Sequence, residues 1–440
     1  MLTVKQGTQR WTNWTGNVSS YPQQFAMPKS LEELISVVKQ CHQNNTRIRV
    51  VGSGHSFSPL VQTDDCLLSL DLLQGLHHVD SEQHTIEVWA GTKLKALGEL
   101  LHQQGYSQEN LGDINSQSIA GAISTGTHGT GIQFGSISTQ VIALTVVTAA
   151  GEVVECSADT QPELFRAMRV SLGLLGIIVR VRLRVLPSYR LRYQSFRMSL
   201  DDCLSSLDTF KTEHRHFEFF TFPYSPTVQV KFMDETNDPP SGNHRWTYWK
   251  TMVIENGLFW CLSESCRLIP SLSKRISRLS AQSVPSVTES GYSHQLFATP
   301  RLVRFYEMEY SVPAAHMKDI IAELHQAIEQ EQFAVHFPLE CRYVNKDDIW
   351  LSPAYERESA FIAVHMYKGM PYQAYFARME EIFARYEGRP HWGKMHNMTV
   401  ERMHQVYPRL QDFLDVRAKL DPQGLFVNGY LARLFGISRR

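Results

Sequence analysis

Val50-Val51-Gly52-Ser53-Gly54-His55-Ser56 sets an apolar run against two glycines, two serines and a histidine. The residues from Ile48 to Val51 read as a buried strand. Behind them, glycine permits positive φ, and small side chains let successive backbone N–H groups converge on an anion such as a phosphate. His55 closes this anion nest. The same letters fit an ordinary strand-to-loop turn with an incidental histidine, and on their own they leave both readings open.

Moving outward, Ser30 and Glu33 form a capping box ahead of Leu31, Leu34, Ile35 and Val38 at helical spacing, and Asn44-Asn45 ends that helix. Strands follow at 66–73 and 85–90. Thr92 is placed to cap a helix that runs through Leu101 and stops near Gly105. Residues 141–149 and 153–156, with a turn at Gly151, predict a hairpin. Along 176–185, Val179, Val181, Leu183 and Val185 alternate with Arg180, Arg182 and Arg184, the pattern of a half-buried strand, which Pro187 ends. From about 189 to 388 the pattern changes to aromatic-rich strands (217–222, 304–310, 360–367) and helical stretches such as 314–329, a second α+β domain. The expected division is 1–188, 189–388 and a C-terminal segment, 389–440.

Three further segments carry candidate chemistry. The first, Ser118-Ile119-Ala120-Gly121-Ala122-Ile123-Ser124-Thr125-Gly126-Thr127-His128-Gly129-Thr130-Gly131, has almost no bulk and many N–H and hydroxyl donors, so backbone can approach a ligand closely. Its interspersed apolar residues argue against a flexible linker. His128 reads as a structural histidine. The second, Glu340-Cys341-Arg342, puts a carboxylate and a guanidinium on one face of a strand. Such a pair can hold a polyhydroxylated substrate or steady an oxyanion, and it can equally be a surface ion pair. The third, Arg389-Pro390-His391-Trp392-Gly393-Lys394-Met395-His396, either presents the Lys394 ammonium to a negatively charged group or merely packs Trp392 on the core.

Composition excludes several classes. Lys and Arg total 43 against 44 Asp and Glu, which gives no reason to expect nucleic acid or an anionic membrane as partner. No apolar run is long enough to span a bilayer, and the N-terminus lacks a secretion signal. The seven cysteines are scattered without CxxC spacing and the 18 histidines without HExxH spacing, so free thiols in a reducing, cytoplasmic setting are expected, and no metal site. Neither the G-x-G-x-x-G fingerprint nor a P-loop occurs, so a dinucleotide would need another architecture.

Taken in order, Asn13-Trp14-Thr15-Gly16-Asn17, Gly52-Ser53-Gly54-His55-Ser56, Ser124-Thr125-Gly126-Thr127-His128-Gly129, Glu340-Cys341-Arg342, Leu351-Ser352-Pro353, His391-Trp392-Gly393-Lys394 and Leu420-Asp421-Pro422-Gln423-Gly424-Leu425-Phe426 resemble the aldonolactone oxidase family nearly end to end. That family groups gulonolactone oxidase-like and alditol oxidase-like enzymes of the vanillyl-alcohol oxidase superfamily of FAD proteins. The resemblance implies an α+β fold: a two-subdomain FAD-binding domain of the vanillyl-alcohol oxidase type, an α+β cap domain over the substrate, and a C-terminal segment returning to the flavin.

By the same resemblance, His55 joins the flavin covalently. Val51, Gly52, Ser53, Gly54 and Ser56 hold the pyrophosphate. Ser118, Gly121, Ala122, Thr125, Thr127, His128 and Gly129 line the cofactor, and Ile178 meets the adenine. Glu340, Arg342, Lys394 and Ser118 fall on the substrate site. The implied reaction is oxidation of a carbinol carbon in a sugar-derived lactone or, alternatively, an alditol, with dioxygen reoxidising the flavin to give hydrogen peroxide, or with another acceptor if the enzyme is a dehydrogenase.

Overall fold

The computed structural model describes residues 3–6, 10–241, 256–298 and 303–438. Strand Ile48–Val51 lies at the edge of a four-stranded sheet, parallel to Cys66–Ser69, which is in turn parallel to Gln24–Met27; Thr3–Gln6 adds an antiparallel edge. Helix Leu31–Gln43 makes the crossover between two of these strands and buries Leu34, Val37, Val38 and Cys41. The Ser30 hydroxyl accepts from the Glu33 amide at 3.2 Å, as the capping box predicts. The Glu33 carboxylate reaches one residue further back than expected, to the Lys29 amide at 2.8 Å.

A second sheet is wholly antiparallel, in the order Val153–Ser157, Val141–Val147, Ile177–Arg184, Thr85–Trp89 and Leu76–Asp80. The hairpin and the alternating Val/Arg strand both form as the sequence predicts, with Val179, Val181 and Leu183 fully buried. The cap at Thr92 does not form. Helix Leu94–Gln103 has Lys93 at its N-cap position, without a side-chain cap. Its first amides, of Leu94 and Lys95, donate instead to the Gln117 and Asn115 carbonyls, each at 2.8 Å. Thr92 serves the preceding turn, donating to the Trp89 carbonyl at 2.6 Å and accepting from the Gly75 amide at 2.9 Å.

The third sheet has eight antiparallel strands in the order Val287–Tyr292, Arg190–Ser199, Thr227–Glu235, His216–Thr221, Leu339–Val344, Ser359–Tyr367, Phe305–Pro313 and Arg389–Pro390. Strand alternation divides its faces. Phe217, Phe219, Leu339, Cys341, Ile362, Val364, Met308 and Tyr310 share one apolar core with helices Met317–Glu331 and Gln373–Arg385. The opposite face carries Glu218, Glu340, Arg342, Glu307, Glu309 and His365, all buried. Helices Val400–Val406, Leu410–Leu420 and Gly429–Phe435 then pack into the core of the first two sheets.

Candidate active site

Two cavities meet at Gln117. The larger is a cleft of about 1010 Å³ between the two N-terminal sheets. Val51, Gly52, Ser53, Gly54, His55, Ser56, Ser118, Gly121, Thr125 and Ile178 all line it, so ten of the sequence-predicted cofactor residues converge there. Gly54 sits at φ +67°, a conformation L side chains rarely adopt. A Cβ on Gly52 would lie 2.4 Å from the Ser118 hydroxyl oxygen. Ser118 is itself the N-cap of helix Ile119–Ser124 and accepts from the Gly121 amide at 3.3 Å. Between the strand and Phe57, the amides of Ser53, Gly54, His55 and Ser56 donate to no acceptor among the described residues. Four successive undonated N–H groups beside glycines are what a pyrophosphate requires. The one carboxylate in the lining, Asp71, is neutralised by Lys93 at 2.7 Å. Donors and charge therefore suit a dinucleotide.

Sequence reasoning missed Gly91 and Gly176 in this lining. A Cβ on Gly91 would lie 2.0 Å from the Leu70 carbonyl, and Gly176 has φ +147°. Their signal was one glycine each beside a strand, too little to stand out. Four residues expected at the cofactor lie elsewhere: Thr127 and His128 line the second cavity, Ala122 is fully buried, and Gly129 lets backbone pass the Leu111 carbonyl, which a Cβ would approach to 2.2 Å.

The smaller cavity, about 440 Å³, is lined by Thr127, His128, Glu340, Arg342 and Lys394, together with Asp113, Gln117, Glu307, Glu309 and His391. Arg342 is its centre. Its Nε donates to Glu218 at 2.8 Å, and one Nη donates to Asp113 at 2.6 Å and to Glu340 at 2.5 Å. Burial alone would weaken the guanidinium's hold on its proton, but the Asp113, Glu340 and Glu218 carboxylates outweigh it and keep the cation well above its ordinary range. Glu218 is shared with Lys231 at 2.9 Å; burial would raise its pKa, but Lys231 and Arg342 hold it low.

Lys394 meets Glu307 at 2.6 Å, and His365 faces the other oxygen of that carboxylate at 3.6 Å. Glu309 faces His128 Nε2 at 3.2 Å, while His128 Nδ1 donates to the Gly129 carbonyl at 2.9 Å. Burial would raise the Glu309 pKa; His128, His391 and Lys394 overcome it and hold the group at about 2. His391 is pushed down to about 3, chiefly by burial and further by Lys394. Its Nδ1 accepts from the Gly393 amide at 3.0 Å, so the neutral ring carries its hydrogen on Nε2.

His128, read from sequence as structural, thus belongs to this charged cavity. Both readings of the 389–396 segment hold at once. Trp392 is buried and donates to the Leu351 carbonyl at 2.7 Å, and the turn it anchors presents Lys394. That turn is tied to the His55 turn by Phe57 N–H to the Gly393 carbonyl at 2.7 Å. Asp113, Glu218, Glu307 and Glu309 were missed by sequence because their partners are far away in the chain.

Residues 22–157 match the family described as FAD binding domain, and residues 181–434 the family described as D-arabinono-1,4-lactone oxidase. The chain is 38% identical over 426 residues to an L-gulono-1,4-lactone dehydrogenase of Mycobacterium tuberculosis, covering 97% of this chain and 99% of that protein. It is 34% identical to an L-gulonolactone oxidase of Bos taurus, covering 97% and 98%. Among solved structures, cholesterol oxidase from B. sterolicum superposes with a TM-score of 0.84 at 17% identity, over 99% of this chain and 97% of that one, a likeness of fold.

Proposed function

The chain belongs to the D-arabinono-1,4-lactone oxidase family, and from that membership we propose that it is an FAD-dependent oxidoreductase acting on a carbinol carbon of a sugar-derived aldonolactone. The observation that carries the reading is the charged cavity around Arg342 and Lys394 sharing Gln117 in its lining with the glycine-lined cleft. The residues of the cleft would hold FAD, which would supply a hydride acceptor and a route for the electron pair to dioxygen, giving hydrogen peroxide.

The chain's own residues do the rest. Val51–Ser56 with Ser118, Gly121 and Thr125 hold the dinucleotide, with Ile178 at the adenine end. Glu340 accepts from substrate hydroxyls and holds Arg342 in place. Arg342 and Lys394 stabilise negative charge as the carbinol proton leaves, in a cavity where burial strengthens their effect. Ser118, beside Gly52 in the wall of the cleft, offers its hydroxyl to the substrate site by the family resemblance. The division of labour is proposed as 1–188 for the cofactor, 189–388 for the substrate and 389–440 as the segment that returns Lys394 to the site.

Covalent attachment of the flavin through His55 is part of the same reading. His55 closes the unpaired amide run and lines the cleft. Among the described residues no helix is long and apolar enough to cross a membrane. The cysteines stand unpaired, in keeping with the reducing, cytoplasmic setting proposed.

The test gives the purified yellow protein L-gulono-1,4-lactone and xylitol in parallel, following oxygen uptake beside dye reduction. Lactone-dependent uptake with peroxide formation is expected. Dye reduction without uptake would replace dioxygen by another acceptor, and silence with the lactone would overturn the substrate reading. Acid precipitation of the same protein tests the attachment: flavin colour stays in the pellet if it is covalent and passes to the supernatant if it is not.

A further inference from the structure

We propose that Ser116 and the Asn13-Trp14 turn prepare His55 for attachment, with Ser116 selecting the ring nitrogen that bonds to the flavin. This rests on the covalent reading above.

The His55 Nε2 lies 2.7 Å from the Ser116 hydroxyl oxygen. Its Nδ1 makes no hydrogen bond among the described residues. A neutral imidazole has one N–H and one lone pair, and the partner of one nitrogen decides which is which. When the Ser116 oxygen accepts from Nε2–H, the lone pair stands on Nδ1, free to attack. The opposite tautomer would leave Nδ1–H without an acceptor. Burial first, then Lys394 and Lys93, push the His55 pKa down to about 4, so the ring is neutral at working pH.

Ser116 is exposed, yet its place is fixed. Its carbonyl accepts from the Ser53 hydroxyl, and its neighbours Asn115 and Gln117 receive the first amides of helix Leu94–Gln103. On the other side Trp14 stacks on the imidazole, with ring centroids 5.7 Å apart and planes at 27°. The Trp14 amide donates to the Gly54 carbonyl at 2.8 Å, and the Asn13 side-chain amide to the Ser56 carbonyl at 2.9 Å. The turn therefore grips the backbone on both sides of His55. Asn13 is itself fixed, since its Oδ1 accepts from the amides of Gly16 and Val18 at 2.9 and 3.1 Å.

The balance is complete with dioxygen as oxidant. A bond forms between Nδ1 and the 8α-methyl carbon of the isoalloxazine, and one C–H bond of that methyl breaks, its hydrogen leaving as a proton. The imidazole loses its Nε2 proton through the Ser116 hydroxyl to solvent. The electron pair released enters the isoalloxazine and is removed by dioxygen, which takes up both protons as hydrogen peroxide.

The experiment compares wild type, Ser116→Ala, Ser116→Thr and His55→Ala, each incubated with added FAD and sampled by acid precipitation. Pelleted flavin reports attachment, and flavin bound before acid treatment reports cofactor binding. With the tautomer unfixed, attachment in Ser116→Ala should slow by about tenfold or more at unchanged FAD binding. Ser116→Thr should restore it, and the flavin peptide of the wild type should carry an Nδ1 linkage. Attachment in Ser116→Ala at the wild-type rate, or an Nε2 linkage, overturns the role of Ser116 while attachment itself stands. Release of all flavin by acid from the wild type overturns the attachment reading, and this inference with it.

Discussion

At the scale of single residues, Arg342 and Lys394 differ in what they owe to the fold. Arg342 is held by three carboxylates, Asp113, Glu218 and Glu340, so Arg342→Ala leaves a buried acidic cluster with one cation fewer. Losing one partner of a buried ion pair typically costs on the order of 3–5 kcal/mol. Arg342→Ala should therefore appear first as a lower denaturation midpoint, and an unchanged midpoint would show that the cluster is not held together by this charge. Lys394 is the better probe of catalysis. Lys394→Met should slow anaerobic flavin reduction by roughly 10²–10³, the usual cost of one well-placed charge at a developing oxyanion. The double variant Lys394→Met with Glu307→Gln removes the charge that Lys394 balances, so stability should recover while the rate does not. Recovery of both would reduce Lys394 to a structural partner of Glu307. Glu340 and Arg342 were legible because strand alternation places them on one face. Their partners were not: Glu218 pairs with Arg342 across 124 positions, brought there by strand register, and Asp113 reaches it across 229 positions from a loop.

At the scale of elements, short-range pattern decided what could be read. Helix Leu31–Gln43 and strand Ile177–Arg184 declare themselves by period and cap. Helix Leu94–Gln103 was visible, but its start was misassigned to Thr92 because its first amides are satisfied by a loop 20 or more positions away. The C-terminal helix Gly429–Phe435 shows how far such anchoring reaches. The Asn428 Oδ1 caps it through the Leu431 amide at 2.9 Å, and its Nδ2 donates to the carbonyls of Pro59 and Gln62, each at 2.9 Å. Those carbonyls belong to the loop that continues the His55 turn. Asn428→Ala removes a cap worth about 1 kcal/mol and leaves the partly buried carbonyls of Pro59 and Gln62 without this donor, at a further cost of up to about 1 kcal/mol. A midpoint loss of this combined size, with faster FAD release from any noncovalently bound fraction, is expected; a loss no larger than the cap alone would uncouple the tail from the cleft. Gly52→Ala probes the other wall. Its Cβ must displace the Ser118 hydroxyl, so FAD titration should show at least a tenfold weaker complex (about 1.4 kcal/mol), whereas equal affinity would show that Ser118 can move aside freely.

Across the whole molecule, buried histidines, both on the charged face of the third sheet and away from it, make stability depend on pH. His216 and His336 are pushed down to about 4 and His391 to about 3, in each case chiefly by burial. In the unfolded chain each titrates near 6.5. Below that pH the unfolded state takes up protons that the native state refuses, so stability is full above about 6.5 and falls as the pH drops towards 4. Each group contributes on the order of 1 kcal/mol per pH unit in that window. Asp347 works the other way. Burial raises it to about 6, so the native state gains a proton the unfolded chain does not hold until near 4, which offsets about one histidine. Glu309, held at about 2, adds to the loss only below about 4.3, where free carboxylates begin to protonate. For these four groups the net expectation is a loss of roughly 2 kcal/mol per pH unit between pH 6 and 4.5, three histidines against one aspartate, and His325 and His396, also pushed down to about 4 by burial, steepen it further. Denaturant titrations of the holoprotein at several pH values measure it directly. His336 is the histidine to replace, because its Nε2 bonds to Ser263 at 3.0 Å and it lines neither the cofactor cleft nor the Arg342 cavity. His336→Gln should flatten the slope by about one proton without altering lactone turnover at neutral pH. A stability profile level from pH 7 to 4.5 in the wild type would mean that these rings are protonated in the native state, and the buried charged face would then have to hold more positive charge than the present pairing of its carboxylates provides.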